Sequence, residues 1–384
     1  MRGPFDGSAP TWETRPVTSN RPRLRIAQVA PPLEAVPPPG YGGTERIIDE
    51  LVRELDRRGH DVTVFASGDS TTAGRLVPTV ERALRPEGRV AEDGPYVLAT
   101  LDAVLRQADR FDVIHAHLDF AGILLARASP TPVAVTFHGR LDRPWAERFL
   151  VDPPDGLCAL SAGHAAAHPD VPWTIVPDGL SLADAPFGER PGDALCFVGR
   201  MSPEKGAADA VAIARRTGRR LRVAAKEPIV PLERDYFENV FLPAAQGAEV
   251  ELLGELGRED RDRLFAESYA SLMPGDWPEP FGLVAIESLA CGTPVIARRV
   301  GGIPEIVRDG IDGVIDDSVA ALAGRLDEVA GLDRRAIRAS VLERFSATRM
   351  TDDYEAVYAR LLAGGTERAQ VGLKIDSGGV RPGS

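Results

Sequence analysis

The chain has 384 residues, a formal net charge of −12, 43% hydrophobic residues and 27% charged residues. That length exceeds one ordinary core and fits two domains of ordinary size, and the composition is that of a soluble globular protein. The acidic balance excludes a general nucleic-acid binder, which needs clustered Lys and Arg, but leaves room for a local basic pocket around one small phosphate ligand.

In chain order, Met1 to Arg23 is rich in Pro, Gly, Arg and Ser and has no apolar centre, so it reads as a disordered arm, not a secretory signal. Leu24 to Ala30 has the β-rich character of a first strand. A Pro- and Gly-rich loop then ends in Gly42-Gly43-Thr44-Glu45, and Ile47, Ile48, Leu51, Val52 and Leu55 recur on one helical face. Gly59 ends that helix and Asp61 to Ala66 is the next strand. Strand, glycine loop, helix, strand is a βαβ unit and implies a parallel sheet. The pattern continues with a helix over 97–108, a strand over 113–116, a helix over 121–128 and a strand over 133–137.

Ligands of open α/β sheets bind beyond the C-terminal ends of parallel strands. Gly42-Gly43, His117 with Asp119, and His138-Gly139-Arg140 sit at such ends. The glycine loop is not a dinucleotide fingerprint, because the third glycine of Gly-x-Gly-x-x-Gly is missing. His115, within an apolar strand, is expected to point into the fold. Cys158, Cys196 and Cys291 are scattered without metal-ligand spacing, which suits a reducing compartment, and cytoplasmic residence follows by default. No apolar run approaches the roughly 18 residues that span a bilayer.

The stretch from Pro169 to Pro191 is loop-rich and reads as an interdomain connection. A second βαβ series begins at Ala194 to Val198, followed by Gly199-Arg200-Met201-Ser202-Pro203-Glu204-Lys205-Gly206, a helix over 207–217 and a strand over 221–225. Two cations beside a helix start suit a diphosphate. Further strands are read at 250–253 and 270–274. Glu279-Pro280-Phe281-Gly282-Leu283-Val284-Ala285-Ile286-Glu287 then forms a turn feeding a helix, closed at Gly292 before the strand 295–297. Free backbone N–H groups at that helix start suit an anion, and the flanking carboxylates suit ligand hydroxyls. Helices are read at 319–326 and 333–345, and a last amphipathic helix carries Met350, Tyr354, Val357, Tyr358 and Leu361. From about Gly364 the chain is expected to fray.

Taken together, Gly42-Gly43-Thr44-Glu45, the segment from Gly199 to Gly206 and the segment from Glu279 to Glu287 resemble the retaining nucleotide-sugar glycosyltransferases of the GT-B fold, the group containing bacterial mannosyltransferases and sucrose-phosphate synthases. The likeness runs from about Leu24 to Leu362. It implies two Rossmann-like α/β domains facing across a cleft: residues 24–180 on the acceptor side and 181–345 on the donor side, with helix 346–363 crossing back to the first domain and a flexible tail over 364–384. It also implies transfer of a hexose, with a UDP-hexose favoured, to an acceptor hydroxyl without a bound metal or other cofactor.

The resemblance assigns Glu279 to donor-sugar hydroxyls, Glu287 to the ribose, and Phe281, Gly282 and Leu283 to backbone contacts. Arg200 and Lys205 become the diphosphate clamp, Gly42 and Gly43 the close approach to phosphate, and His138 a contact near the reacting carbon. The base is expected near Lys226, Gly254, Glu255 and Leu256, and the acceptor near Asp69, His117, Asp119 and Arg140. The group often carries Asn where this chain has Asp178. A nucleotide-sugar epimerase, a glycan phosphorylase and a non-catalytic nucleotide-sugar binder share the architecture; a phosphorylase would need a pyridoxal-phosphate lysine that the chain does not convincingly place.

Overall fold

The computed structural model describes residues 22–376 apart from 41, 227 and 229, with side chains described to 364. The expected N-terminal arm, up to residue 21, and the last eight residues of the expected tail lie outside that description.

Two parallel sheets organise the chain. The first has seven strands: β1 (Arg25–Val29), β2 (Asp61–Ser67), β3 (Arg75–Val80), β4 (Val113–Ala116), β5 (Val133–Thr136), β6 (Leu157–Ala159) and β7 (Thr174–Ile175), in the order β3-β2-β1-β4-β5-β6-β7. The second has six: β8 (Leu195–Val198), β9 (Leu221–Ala224), β10 (Val250–Gly254), β11 (Ala270–Met273), β12 (Val295–Arg298) and β13 (Gly313–Asp316), in the order β10-β9-β8-β11-β12-β13. All pairings are parallel. Strand order reverses between β1 and β4 in one sheet and between β8 and β11 in the other, so each domain has a crevice at its switch point.

The first helix, Gly43–Arg57, shows why the apolar spacing works. Ile47, Ile48, Leu51, Val52 and Leu55 are all fully buried. One apolar cluster runs from Ile26 and Leu51 through Leu180, Phe345 and Met350 to Phe281 and Leu289, so the interior is continuous across both domains. Separate clusters fill the outer layer of each domain, around Phe120 and Phe137 in the first and Phe197 and Phe241 in the second.

The chain passes between domains twice, and the crossings are bonded to each other. The Leu180 N–H donates to the Phe345 carbonyl (3.0 Å) and the Ala347 N–H to the Leu180 carbonyl (3.2 Å). The C-terminal helix, Ala347–Asp376, then packs on helix Gly43–Arg57 and on β4 and β5 of the first domain. It continues through Gly364 to Asp376, where fraying from 364 was expected. A helix already nucleated by tertiary packing gains one bond per added residue, and the Ala, Glu, Arg, Gln and Leu of this segment are good helix formers.

Other differences are local. Strands β3, β6, β7 and β13 were not read from the sequence; their short segments lack a resolvable alternation, and tertiary pairing alone makes them strands. The helix expected over 97–108 occupies Asp93–Leu105, and residues 231–245 form helical turns, one with π geometry, that were not anticipated.

Candidate functional site

A cavity of about 300 Å³ lies between the two switch points. Gly42, Gly43, Arg46 and His138 line it from the first domain; Arg200, Lys205, Lys226, Glu255 and Leu256 from the second. Glu279, Phe281, Gly282, Leu283 and Glu287 complete it, so three sequence segments far apart in the chain meet on one space. Gly254, at the end of β10, does not reach the wall.

Two helices start at this cavity from glycine: Gly43–Arg57 after Gly42, and Leu283–Ala290 after Gly282. Neither N-terminus has a side-chain cap. Their first-turn N–H groups and the positive ends of their dipoles are therefore offered to the cleft, an arrangement that favours an anion. The two starts lie close together: a Cβ on Gly43 would stand 3.3 Å from Leu283 Cδ1. The Gly301-Gly302 turn supports Glu279 from behind. Gly301 has φ +56°, a Cβ there would come within 2.2 Å of the Glu279 carbonyl oxygen, and the Gly302 N–H donates to that oxygen at 2.7 Å. Any larger residue at 301 would push Glu279 out of place.

The charged groups around Glu279 and Glu287 are paired. Lys205 Nζ donates to both carboxylate oxygens of Glu279, each at 2.7 Å. Arg200 meets Glu204 at 2.9 Å and Glu233 at 3.2 Å. Glu287, only 2% exposed, is held by Arg46 at 2.5 Å and Arg261 at 2.9 Å. Burial pushes the Glu287 carboxyl up, but the nearby Arg46 and Arg261 charges outweigh it and hold the group below its ordinary value. Arg46 belongs to the first domain, so this pair also spans the cleft.

Trp277 joins the same cluster. Its indole N–H donates to Glu279, its ring lies 4.9 Å from Lys205 Nζ, and Arg140 of the first domain sits 5.6 Å from it on a cation–π approach. Arg46, Arg261 and Trp277 were not singled out from the sequence. Only Trp277, two residues before Glu279 in the same loop, carried a signal.

The first-domain wall is formed by His138, whose backbone N–H donates to Asp119 Oδ1 at 2.7 Å; the Gly139 backbone N–H adds a 3.2 Å bond to the same oxygen. Burial drives the His138 imidazole pKa down to about 3, with nearby His164 a smaller cause, so the ring is neutral. His117 and Asp119, expected on the acceptor side, stand behind His138. His117 is 1% exposed and spends both ring nitrogens, on His138 (2.9 Å) and on Gln28 (2.9 Å). Arg140 is at the cleft rim, paired with Asp142. Asp69 lines a separate hollow with Arg82 and Glu87 and accepts the Ala83 N–H. Asp178 also lines the cavity; it is 3% exposed, its Oδ1 has no hydrogen-bond partner among the described residues, and burial pushes its carboxyl up to about 7.

Residues 41–178 match the family described as Glycosyltransferase Family 4, and residues 189–337 match Glycosyl transferases group 1. The D-inositol 3-phosphate glycosyltransferase of Mycobacterium leprae is 33% identical over 400 residues, which cover 86% of this chain and 91% of that one. The chain belongs to the GT-B glycosyltransferase family. AviGT4, a solved glycosyltransferase involved in avilamycin A biosynthesis, is 28% identical to this glycosyltransferase with a TM-score of 0.67, covering 89% of this chain and 98% of that one. Anabaena HepE, solved with UDP-glucose, shares the fold at 16% identity with a TM-score of 0.68, over 89% of this chain and 100% of its own. No helix of this glycosyltransferase, among the described residues, is long and apolar enough to cross a membrane.

Proposed function

We propose that this glycosyltransferase moves a hexose from a nucleoside-diphosphate sugar to an acceptor hydroxyl, retaining the anomeric configuration and using no metal. One observation carries the reading: two uncapped helix starts, Arg200 and Lys205, and the carboxylates of Glu279 and Glu287 share a single cavity. Phosphate suits the N–H groups and cations; sugar and ribose hydroxyls suit the carboxylates.

In this reading the donor replaces the internal pairs. Glu279 exchanges Lys205 for hexose hydroxyls, and Lys205 with Arg200 turns to the diphosphate. As the bond from the anomeric carbon to the diphosphate oxygen breaks, positive charge grows on the sugar ring and negative charge on the leaving group. Fixed cations beside that oxygen stabilise the transition state more than the ground state. The acceptor hydroxyl attacks the face that the diphosphate leaves, and the departing phosphate oxygen takes its proton. The protein then needs no separate nucleophile. Closure of the two domains excludes water from the reacting centre.

Phe281, Gly282 and Leu283 contribute backbone N–H groups, Gly42 and Gly43 admit the phosphates, and Lys226, Glu255 and Leu256 border the base. A UDP-hexose is the favoured donor, in keeping with the UDP-glucose of HepE. The acceptor approaches past Arg140 and is a small polar molecule or glycan, the M. leprae relative being named for an inositol phosphate. Three buried free thiols suit a cytoplasmic site of action.

The test is incubation with UDP-glucose and a panel of polyol and glycan acceptors, with and without EDTA, followed by NMR of the product's anomeric proton. Release of UDP with an α-linked glycoside, unaffected by EDTA, is expected. A β-linked product would refute retention, EDTA inhibition would refute metal independence, and an isomerised sugar nucleotide would assign the cleft to epimerisation.

A further inference from the structure

We propose that a buried hydrogen-bond chain anchored in the C-terminal helix decides which ring nitrogen of His138 carries the proton, and thereby makes the cleft select a donor sugar that presents a hydroxyl, not a carboxylate, to that ring. The proposal rests on the reading of the cleft as a hexosyl-donor site.

The chain is built by strand periodicity. His115 and His117 are two residues apart at β4, Thr136 and His138 two apart at β5, and Gln28 of β1 is the register partner of His115. Side chains two apart share a face of a sheet, so all five lie on the face covered by the C-terminal helix. That helix supplies Tyr354 and Tyr358. Gln28, His115, Thr136, Tyr354 and Tyr358 are fully buried.

The direction of the chain follows from Gln28, whose amide has one end that only accepts and one that only donates. Gln28 Oε1 is 2.9 Å from His117 Nε2, so that nitrogen carries a hydrogen. A neutral imidazole has one N–H, which leaves His117 Nδ1 as a lone pair. His138 Nε2, 2.9 Å away, must then be the donor. In the other direction Gln28 Nε2 donates to the Tyr358 hydroxyl (3.1 Å), which donates to His115 Nδ1 (2.8 Å). His115 Nε2 donates to Thr136 Oγ1 (2.8 Å), and that hydroxyl to Tyr354 (3.0 Å). On the His138 side each link fixes the next, and turning the Gln28 amide over would reverse that side.

His138 is thereby left with Nδ1 unprotonated and, among the described residues, without a partner, on a ring that lines the cleft. A sugar hydroxyl can donate to that lone pair. A carboxylate, which only accepts, meets a second acceptor and loses its hydration without compensation. Gln28 and His117 are positioning residues: neither lines the cleft, and both act through His138.

The decisive measurement is a long-range ¹H–¹⁵N correlation spectrum of the full chain labelled at its six histidines, with His138 assigned by its loss in His138→Asn. At pH 7 its Nε2 is expected to be protonated and its Nδ1 bare; an Nδ1–H tautomer or a cationic ring would overturn the proposal. Gln28→Glu keeps an acceptor at His117 Nε2 but puts a negative charge beside it, which favours the imidazolium with hydrogens on both His117 nitrogens, so His138 is expected to switch to the Nδ1–H form. Tyr358→Phe removes the helix hydroxyl that accepts from the Gln28 amide, so the amide is free to turn over and a mixture of His138 tautomers is expected; an unchanged Nε2–H form would show that the helix does not set it. A merely structural role for Gln28 would produce no such switch.

Wild-type kcat/KM is expected to favour UDP-glucose over UDP-glucuronate by roughly tenfold or more, as one uncompensated buried contact implies, with the ratio narrowing in Gln28→Glu. Equal use of the two donors would sink the selectivity even if the tautomer is as stated. If the Nε2–H form is found but none of ADP-, GDP- or UDP-glucose binds or reacts, the donor-site reading fails and the tautomer assignment stands.

Discussion

The two walls of the cleft are built on different electrostatic plans. On the second-domain wall the groups around Glu279 and Glu287 each have an opposite charge in contact: Lys205 with Glu279, Arg200 with Glu204 and Glu233, Glu287 with Arg46 and Arg261. The inner first-domain wall is neutral. His115, His117 and His138 are held uncharged by burial, and Glu45, in the helix start beside Gly42, has its carboxyl pushed up to about 7 by the same cause. A wall of paired charges can exchange one partner for a charged ligand at modest cost. A neutral wired wall cannot, and instead fixes orientation. The difference suits a donor with its anionic end against one domain and its reacting sugar against the other.

The neutral wall depends on the C-terminal helix, so removing that helix is the harshest way to break the comparison. Met350, Tyr354, Val357 and Tyr358 are almost wholly buried, and each contributes on the order of 1.5–3 kcal/mol of burial. Their sum is comparable to the about 5–15 kcal/mol that holds a domain folded. Deleting residues from Ser346 onward is expected to abolish cooperative unfolding of the first domain, read by calorimetry; an unchanged transition would contradict the role given to the helix.

Lys205→Ala tests the charged wall. Loss of one preorganised cation is expected to lower kcat by about 10²–10³-fold, while the melting temperature moves little because the ion pair is partly exposed. Turnover equal to wild type would remove Lys205 from the clamp, and the same experiment applies to Arg200→Ala.

Asp178 sharpens the comparison, being a carboxyl on the neutral side. Burial raises its folded-state pKa from 3.8 to about 7. The folded protein therefore holds a proton that the unfolded chain releases, and stability from this group is fullest below about pH 4 and falls as pH rises to about 7. Asp178→Asn keeps the shape without the charge. It is expected to stabilise the protein by about 4 kcal/mol at pH 8 relative to wild type, with the gain nearly gone at about pH 4. Melting curves at the two pH values check this, and a pH-independent difference would show that Asp178 is ionised throughout.

The smallest effect is expected from Tyr358→Phe. It removes two hydrogen bonds, to Gln28 and His115, from a wholly buried chain, at a cost of about 1–3 kcal/mol in chemical denaturation. A neutral result would mean that the Gln28–Tyr358–His115 links add no stability.

Much of the fold and of the charged wall could be read directly from residue order. The helix Gly43–Arg57 announces itself by five apolar residues on one face. Arg200 with Lys205, and Glu279 with Glu287, belong to short segments whose turn and helix are encoded locally, so their neighbourhood follows once the segments meet at strand ends. Tertiary structure alone decided the rest. Gln28 and Tyr358 are 330 positions apart, and Arg46 and Glu287 are 241 apart. Nothing local distinguishes such residues from other polar side chains. Their meaning comes from being buried together, where each donor must find an acceptor, and which one it finds depends on how the crossing helix lies on the sheet.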